Sequence, residues 1–401
     1  MGPADLPALL AGAADVVPAD ELERKLELGR PLRVKLGLDP TAPAVTLGWA
    51  VVLRKLRQFQ DAGHVAVLIV GDMTARVGDP SGKSEIRPRL PKEEVDGYAA
   101  SLLEQFWIVL DRERTEVRHN SEWLEPMDLE AVLRLASVTT VARMLERDDF
   151  AGRYRSGKPI SVMEFLYPLL QGMDSVAVQA DVELGGTDQL FNLLVGREVQ
   201  REHGQEPQVA LTTPLLVGTD GVQKMSQSLG NYIGITEPPD EMFGKLARVP
   251  DALVGEYRLL ALDFFRDPAD AERVRAGLED GSLDPWEEKR RLARGVVDLY
   301  HGDGAGPSAQ ERFDRVHHDH EPPDEISGAA IPPDLVVDGK VYLPKLLAEL
   351  GLTDSNSKGR SVLDQGGVRL DGEPVADLEV PVEDLRGRVL QLGRRRFVRL
   401  I

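Results

Sequence analysis

The sequence lacks cysteine entirely: none occurs among its 401 residues. This excludes a disulfide framework, a thiolate metal site and a cysteine nucleophile, and it fits a cytoplasmic protein. Long apolar runs are also missing, since the longest uninterrupted one is Val65–Val70, far too short to cross a membrane. The first residues carry acidic rather than basic side chains and do not resemble a secretory leader. We therefore expect a cytoplasmic protein with no membrane partner.

Basic residues are outnumbered, with 48 Lys+Arg against 67 Asp+Glu and a formal net charge of −19. Such a chain binds nucleic acid poorly through its overall field, so we expect no DNA partner, and any RNA contact must come from local basic patches. The seven histidines show no zinc-ligand spacing. His317, His318 and His320 fall in an acidic, Pro-rich stretch, where solvation is expected and metal binding is the weaker alternative. We predict no resident metal.

Strands and helices alternate near the N-terminus. Residues 34–38 form a short strand-like run, apolar residues from Trp49 to Phe59 recur at helical spacing, and 65–70 is a continuous apolar run. A strand, a helix and a doubly buried strand in succession predict a parallel sheet covered by helices. We expect residues 97–155 to be a charged helical insert, and 178–186 to be another strand, ending in a glycine pair.

Composition changes toward the C-terminus. Residues 238–320 are acidic and helical in pattern, and 317–334 are rich in proline and acid, as in a linker. The tail, 341–401, holds ten basic against nine acidic residues, whereas the preceding chain is strongly acidic. We place a domain boundary at this linker.

Three polar residues, Tyr167, Gln171 and Asp174, share one face of a mostly apolar predicted helix, because they are spaced i, i+4 and i+7. A polar stripe of this kind is costly unless something satisfies it. It could hold a polar ligand, with a phenol or ammonium against Asp174 and an amine against Tyr167 and Gln171. A buried hydrogen-bond network closing on neighbouring backbone explains the pattern about equally well.

The predicted start of the first long helix contains Thr46, Leu47 and Gly48, after a loop with Asp39 and Thr41. A helix N-terminus offers free N–H groups and a partial positive charge that suit phosphate. Gly48 would let a flat ring lie against the backbone. From these residues alone, a plain N-cap at Thr46 is the better explanation.

Three further loops carry polar residues of interest. Residues 78–88 hold Ser81, Lys83 and Arg87, which suit a phosphate but lack the spacing of a P-loop. Asp188 and Gln189 follow a predicted strand, where open parallel sheets bind ligands. Residues 224–228, KMSQS, form a loop with one lysine, Lys224. From these residues alone, a surface turn with solvated charges is the better explanation of the first segment, and an ordinary loop explains the third, since lysines are common in loops.

In their order, these segments resemble those of the bacterial tyrosyl-tRNA synthetases, which are class I enzymes. The resemblance covers the whole chain and rests on DPTAP, VVLRKLRQFQDAGH, GDPSGKS, YPLLQGMDS, GGTDQLFNLLVGREVQ, KMSQSLGN and SNSKGRSVLDQGGVRLDG. It implies an α/β fold: a doubly wound, Rossmann-like catalytic domain with a helical dimerisation insert (1–218), a signature loop with an α-helical domain (219–325) and a small α+β RNA-binding domain (335–401). It also implies a homodimer.

The resemblance further implies site residues. The tyrosine-binding set is Lys35, Gly37, Asp79, Tyr167, Gln171, Asp174 and Gln189, with Asp174 accepting the phenol hydroxyl. The set for ATP or the adenylate is Asp39, Gly48, Trp49, Gly186, Asp188, Met225 and Ser226. The catalytic set is Thr41, Thr46 and Lys224, and the RNA-binding set is Lys358, Arg360, Arg394 and Arg395. The implied ligands of the protein are tyrosine, ATP with Mg²⁺ as its counterion, and tRNA.

Four positions depart from the family pattern. Its His-x-Gly-His signature is Thr46-Leu47-Gly48-Trp49 here, so both histidines that contact ATP in the family are replaced. Gln227 replaces the second lysine of Lys-Met-Ser-Lys-Ser. Lys35 stands where many relatives have a tyrosine, although the most similar branch also has lysine there. Loss of two preorganised donors would slow adenylation by roughly 10⁴ if the effects were additive.

These departures leave three hypotheses. The chain is a working but divergent tyrosine–tRNA ligase, or a repurposed paralogue that binds tyrosine or a related amino acid for ligation or transfer outside translation. The third is a non-catalytic protein that binds an amino acid or RNA. The retained stripe at Tyr167, Gln171 and Asp174 favours the first two, with the ligase preferred.

Overall fold

A computed structural model describes residues 6–80, 90–264, 266–317, 328–393 and 396–401. The chain forms two compact units, 1–302 and 303–401. The predicted boundaries near residues 218 and 325 remain predictions. Several sequence candidates lie outside the described residues: Ser81, Lys83, Arg87, His318, His320, Arg394 and Arg395. No helix among the described residues is long and apolar enough to span a bilayer.

A six-stranded sheet organises the first unit. Its strands are β1 Asp15–Val17, β2 Arg33–Leu38, β3 Val65–Val70, β4 Thr115–His119, β5 Val182–Gly186 and β6 Val209–Thr213. Their order is β1-β6-β5-β2-β3-β4, parallel throughout except for the antiparallel edge pair β1–β6. The chain winds outward in both directions from the β2–β5 pair, which makes that pair the switch point where such sheets bind ligands. The predicted doubly wound α/β fold is confirmed.

Helices cover this sheet and extend beyond it. They are α1 Leu6–Leu10, α2 Glu21–Glu27, α3 Leu47–Asp61, α4 Lys92–Phe106, α5 Ser121–Leu124, α6 Leu129–Ala136, α7 Val141–Met144, α8 Asp148–Arg155, α9 Val162–Ala177, α10 Leu190–Glu202, α11 Pro239–Leu246, α12 Val254–Tyr257, α13 Pro268–Glu279 and α14 Pro285–His301. A π-helical segment, Arg258–Leu262, follows α12. Close packing of α9 on α10 depends on Gly172, where an added Cβ would lie 2.7 Å from Val199.

The local patterns located β2, β3 and β5 but did not predict the other three strands, β1, β4 and β6. β2 and β3 match the predicted runs, whereas β5 begins only at Val182 because the preceding residues finish the C-terminal turn of α9. The expectation that 97–155 is helical is wrong over Thr115–His119, which pairs with β3 as β4. This strand is polar and half-buried, so neither apolar periodicity nor a continuous apolar run marks it.

The second unit is a small α+β fold. Its elements are α15 Ala305–His317, β7 Gly328–Ala329, β8 Val336–Val337, β9 Lys340–Tyr342, α16 Leu343–Glu349, α17 Asn356–Asp364, β10 Val368–Leu370, β11 Glu373–Pro374, β12 Glu379–Pro381, α18 Val382–Leu385, β13 Val389–Leu392 and β14 Arg396–Leu400. One sheet has the order β11-β10-β13-β14-β7 and the other β12-β9-β8. Buried residues such as Val341, Leu346, Leu363 and Leu390 form its core.

Candidate active site

A cavity of about 960 Å³ opens at the carboxyl ends of β2, β3 and β5, at the switch point of the sheet. The sequence-predicted residues that line it are Gly37, Asp39, Thr41, Thr46, Gly48, Trp49, Asp79, Tyr167, Gln171, Asp174, Gly186, Asp188, Gln189, Lys224, Met225 and Ser226. Lys35 does not line it. The fold thus brings together residues from six separate segments of the chain.

Asp39 ties the end of β2 to α9 and to the loop after β3. Its carboxylate accepts hydrogen bonds from the Tyr167 hydroxyl at 2.8 Å and from Thr74 Oγ1 at 2.7 Å. Gly71 makes room for it, since an added Cβ there would lie 2.1 Å from Asp39 Oδ1. Burial raises the pKa of Asp39 to about 7 and raises the pKa of Tyr167 well above its usual value. Asp39 therefore fixes the Tyr167 ring in the cavity wall.

The α9 stripe both lines the cavity and makes protein hydrogen bonds. Tyr167 bonds Asp39, Gln171 donates to Glu183 at 3.0 Å, and Asp174 accepts from the Trp123 indole at 2.9 Å. The ligand and network interpretations of the sequence are thus compatible, because each side chain is oriented by a protein partner and still faces the cavity.

Asp174 is the most deeply buried residue of this stripe, with 3% of its surface exposed. Asn120 Nδ2 lies 3.4 Å from its second oxygen, opposite the Trp123 bond. Burial raises its pKa to about 7, while the Lys35 charge and the bonds from Trp123 and Asn120 act in the opposite direction. A buried carboxylate held by two donors is suited to accept one further bond from a neutral hydroxyl.

Asp79 and Gln189 also line the cavity and are hydrogen-bonded to each other. Gln189 Nε2 donates to Asp79 at 2.9 Å, and its Oε1 accepts from Asn192 at 3.0 Å. The glycine pair that ends β5 permits this turn, since a Cβ on Gly185 would lie 2.9 Å from Gln189. An acid and an amide in this arrangement can meet the charged ends of an amino acid.

The start of α3 shows the N-cap that the sequence suggested. Thr46 Oγ1 accepts the Trp49 backbone N–H at 3.2 Å, which caps the helix. The Trp49 indole stacks on Phe106 of α4, with ring centroids 6.3 Å apart and planes 12° from parallel. Both residues of the altered signature therefore have structural roles while they line the cavity.

The KMSQS loop closes another side of the cavity. Lys224 forms an ion pair with Asp188. Gln227 exchanges two hydrogen bonds with the backbone of Ala44, accepting at 3.2 Å and donating at 2.5 Å. The buried side chain of Asn231 accepts a hydrogen bond from Ser226 N at 2.8 Å and so anchors the loop. The residue that replaces the signature lysine thus connects the loop to the segment before α3.

Lys35 is placed differently from its expected role. Its amine lies beneath the cavity wall, fully buried, 2.8 Å from Glu183 and 2.7 Å from Ser175 Oγ. This position supports α9 from the sheet. A direct contact between Lys35 and tyrosine remains a prediction.

Sequence reasoning missed Thr74, Asn120 and Trp123, which all reach the aspartates of the cavity. Asn120 and Trp123 follow β4 directly, at the carboxyl edge of the sheet. Recognition of β4 as a strand would have placed them there.

Basic residues of the second unit form a separate candidate surface. Lys358 and Arg360 are exposed on α17, whereas Arg394 and Arg395 lie outside the described residues. In the part of the chain that the structure describes, no group of three or more His, Asp and Glu side chains could hold a metal ion.

The sequence is similar to that of known enzymes over nearly its whole length. Residues 27–318 match the family of class I tRNA synthetases (W and Y). The tyrosine–tRNA ligase of Moorella thermoacetica is 51% identical over 396 residues, which cover 98% of this chain and 94% of that protein. The tyrosine–tRNA ligase of Geobacter sulfurreducens is 50% identical and covers 100% of this chain and 99% of its own length.

Solved structures show the same similarity at lower identity. The tyrosyl-tRNA synthetase of Archaeoglobus fulgidus, crystallised with L-tyrosine, is 26% identical and aligns with a TM-score of 0.63 over 77% of this chain and 99% of its own. A truncated mitochondrial tyrosyl-tRNA synthetase from Aspergillus nidulans gives a TM-score of 0.62 at 23% identity, over 78% of this chain and 93% of its own, which supports the fold alone.

Proposed function

The chain belongs to the bacterial tyrosyl-tRNA synthetase family, and on that premise we propose that it activates tyrosine with ATP and transfers it to tRNA in the cytoplasm. The observation that carries the proposal is the cavity at the β2–β5 switch point, with Asp174 held by two donors. There the tyrosine phenol would donate to Asp174, while Tyr167, Gln171, Asp79 and Gln189 would meet its amino and carboxylate ends. A hydroxyl acceptor in an apolar wall favours tyrosine over phenylalanine.

ATP is the second substrate in this proposal. The cavity wall formed by Gly48, Trp49, Gly186, Asp188 and Met225 would receive it, with Mg²⁺ as its counterion. Lys224 supplies the positive charge beside this wall and would interact with the phosphates. Thr41 and Thr46 line the same region and offer hydroxyl groups.

The altered helix start is expected to make adenylation slow. The Thr46 hydroxyl caps α3 as an acceptor and keeps one neutral O–H to donate, and the Trp49 indole is packed on Phe106, so neither side chain supplies the positive charge of a protonated imidazole. One missing donor to a developing charge typically costs about 3 kcal/mol. The proposed enzyme is therefore a divergent member of its family at the nucleotide side.

Tyrosine-dependent exchange between ATP and pyrophosphate tests this function. We expect exchange above that of a Thr41→Ala/Lys224→Ala variant, and a further increase on combining Thr46→His with Trp49→His. Exchange equal to that of the Thr41→Ala/Lys224→Ala variant would exclude the ligase. Exchange without charging of tRNA would favour the repurposed paralogue, because its acceptor would be another molecule.

The proposal includes a homodimer and a tRNA contact through the second unit. Exposed apolar side chains lie on α6, α7 and the start of α9, namely Leu129, Leu133, Val141 and Val162. We expect these exposed side chains to lie at the interface with a second copy. Sedimentation tests the dimer. We expect wild type to sediment as a dimer and the double variant Leu129→Glu/Leu133→Glu to sediment as a monomer.

A further inference from the structure

Two charged residues sit opposite each other on the strands that flank the switch point. Lys35 of β2 and Glu183 of β5 are register partners in the parallel pairing of these strands. Their side chains are both fully buried, with 0% and 1% exposed, and their charged atoms are 2.8 Å apart. Burying such a pair costs desolvation free energy, which further hydrogen bonds to the two charged groups must offset.

The pair is saturated with hydrogen bonds from the helix above it. Lys35 Nζ donates to the backbone carbonyl of Gln171 at 2.9 Å and to Ser175 Oγ at 2.7 Å. Glu183 accepts from Gln171 Nε2 at 3.0 Å, from Ser175 Oγ at 3.2 Å and from Gln208 Nε2. The two charges therefore hold the same turn of α9, by both its backbone and its side chains.

The Glu183 carboxylate also decides the direction of the Gln171 carboxamide. An ionised carboxylate only accepts hydrogen bonds, so Gln171 must present its NH₂ group to Glu183. Its carbonyl Oε1 is then directed away from Glu183, and this buried atom has no hydrogen-bond partner among the described residues. Gln171 lines the cavity. An acceptor without a donor in such a place is costly until a ligand supplies the donor.

We propose that Glu183, held by Lys35, is a positioning residue: it orients the side-chain carbonyl of Gln171, Oε1, to accept a hydrogen bond from the substrate ammonium group. This inference rests on the proposed function, because it takes the ligand to be tyrosine. An oriented carbonyl selects a donor and disfavours a carboxylate. Glu183 thus acts through Gln171 and contributes to the choice of which end of the amino acid lies beside α9.

Paired substitutions separate orientation from charge. Removal of one partner would leave an uncompensated buried charge, so both residues are changed. Lys35→Met/Glu183→Gln removes both charges but keeps a carbonyl that accepts from Gln171 Nε2. Lys35→Met/Glu183→Met removes both charges and that acceptor. The two variants have similar volumes, and thermal unfolding of each shows whether it is folded.

Calorimetric titration with three ligands tests the proposal. Tyrosine has both charged groups, tyramine has only the ammonium, and 3-(4-hydroxyphenyl)propionate has only the carboxylate. We expect the Glu183→Met double variant to bind tyrosine and tyramine about tenfold more weakly than the Glu183→Gln double variant, and to bind the propionate equally well. Equal weakening for all three ligands, or no weakening, would overturn the inference. If wild type fails to bind tyrosine, the proposed function itself is wrong, and this inference with it.

Discussion

Trp123 donates its indole N–H to Asp174 across 2.9 Å. The two residues come from elements distant in sequence, since Trp123 lies on α5 after the edge strand β4 and Asp174 lies on α9. The bond fixes one carboxylate oxygen and favours its ionised form. The proposed recognition of a phenol at this carboxylate would therefore depend on a residue that belongs to neither signature of the family.

Substitution of Trp123 should weaken tyrosine binding. Trp123→Phe keeps an aromatic ring but removes the donor, and a hydrogen bond to a charged group contributes about 1.5 kcal/mol or more. We expect the dissociation constant for tyrosine to rise about tenfold, measured by calorimetry. Trp107→Phe is the control, because that ring contacts Arg112 away from the cavity. Equal effects of the two substitutions would contradict the role of the bond.

The burial of Asp174 predicts a stability change with pH. Its pKa is raised to about 7 in the folded chain from an ordinary value of 3.8, so folding takes up a proton between these pH values. The stability this group confers is complete below about pH 4 and is lost as the pH rises through about 7. Asp174→Asn should therefore raise the free energy of unfolding at pH 8 by about 1 kcal/mol or more, and by less at pH 5.

Thermal unfolding at the two pH values checks this expectation. Glu104→Gln, which removes an exposed acid on α4, serves as the control and should show no such pH dependence. If Asp174→Asn lowers stability equally at pH 5 and pH 8, burial of the charge is not the dominant cost.

We expect the contact between Gln227 and Ala44 to restrain the motion of the KMSQS loop. Gln227→Ala removes two hydrogen bonds, each with a net contribution of about 1 kcal/mol. We expect amide hydrogen exchange at Ala44 and across residues 225–229 to accelerate about tenfold. Ser228→Ala in the same loop should leave exchange at Ala44 unchanged. Protection that is equal in both variants would show that other contacts hold the loop.

Charge reversal on α17 tests the proposed RNA surface. Lys358→Glu/Arg360→Glu alters two exposed residues and should weaken binding to bulk tRNA. If each neutralises one phosphate, the slope of log affinity against log salt should decrease by about 2. Arg273→Glu/Arg275→Glu on α13 changes the net charge equally and should leave the slope unaltered. An unchanged slope in the α17 variant would place tRNA elsewhere.

Local patterns predicted the α9 stripe because helical spacing alone brings Tyr167, Gln171 and Asp174 to one face. The same reasoning located β2 and β3, since a continuous apolar run marks a doubly buried strand. The N-cap at Thr46 was also recognisable from residue type.

The rest of the site depends on pairings that are distant in sequence. Lys35 and Glu183 meet only because β2 lies beside β5, which no local pattern specifies. Asn120 and Trp123 reach the cavity because polar β4 extends the sheet by pairing with β3. Strand neighbours of this kind are set by packing and register, so Glu183, Asn120 and Trp123 were missed and Lys35 was expected at the cavity wall rather than beneath it, whereas most lining residues were expected from the family resemblance.

The proposed function requires that Asp174 recognises the hydroxyl group of tyrosine in this cavity. Calorimetric titration of the wild-type chain with L-tyrosine and L-phenylalanine is the decisive measurement. We expect tyrosine to bind at least about tenfold more tightly than phenylalanine, because only tyrosine adds a hydroxyl donor to those of Trp123 and Asn120, and we expect Asp174→Ala to abolish the difference. Equal affinity for the two amino acids, or no heat with tyrosine, would contradict the proposed recognition.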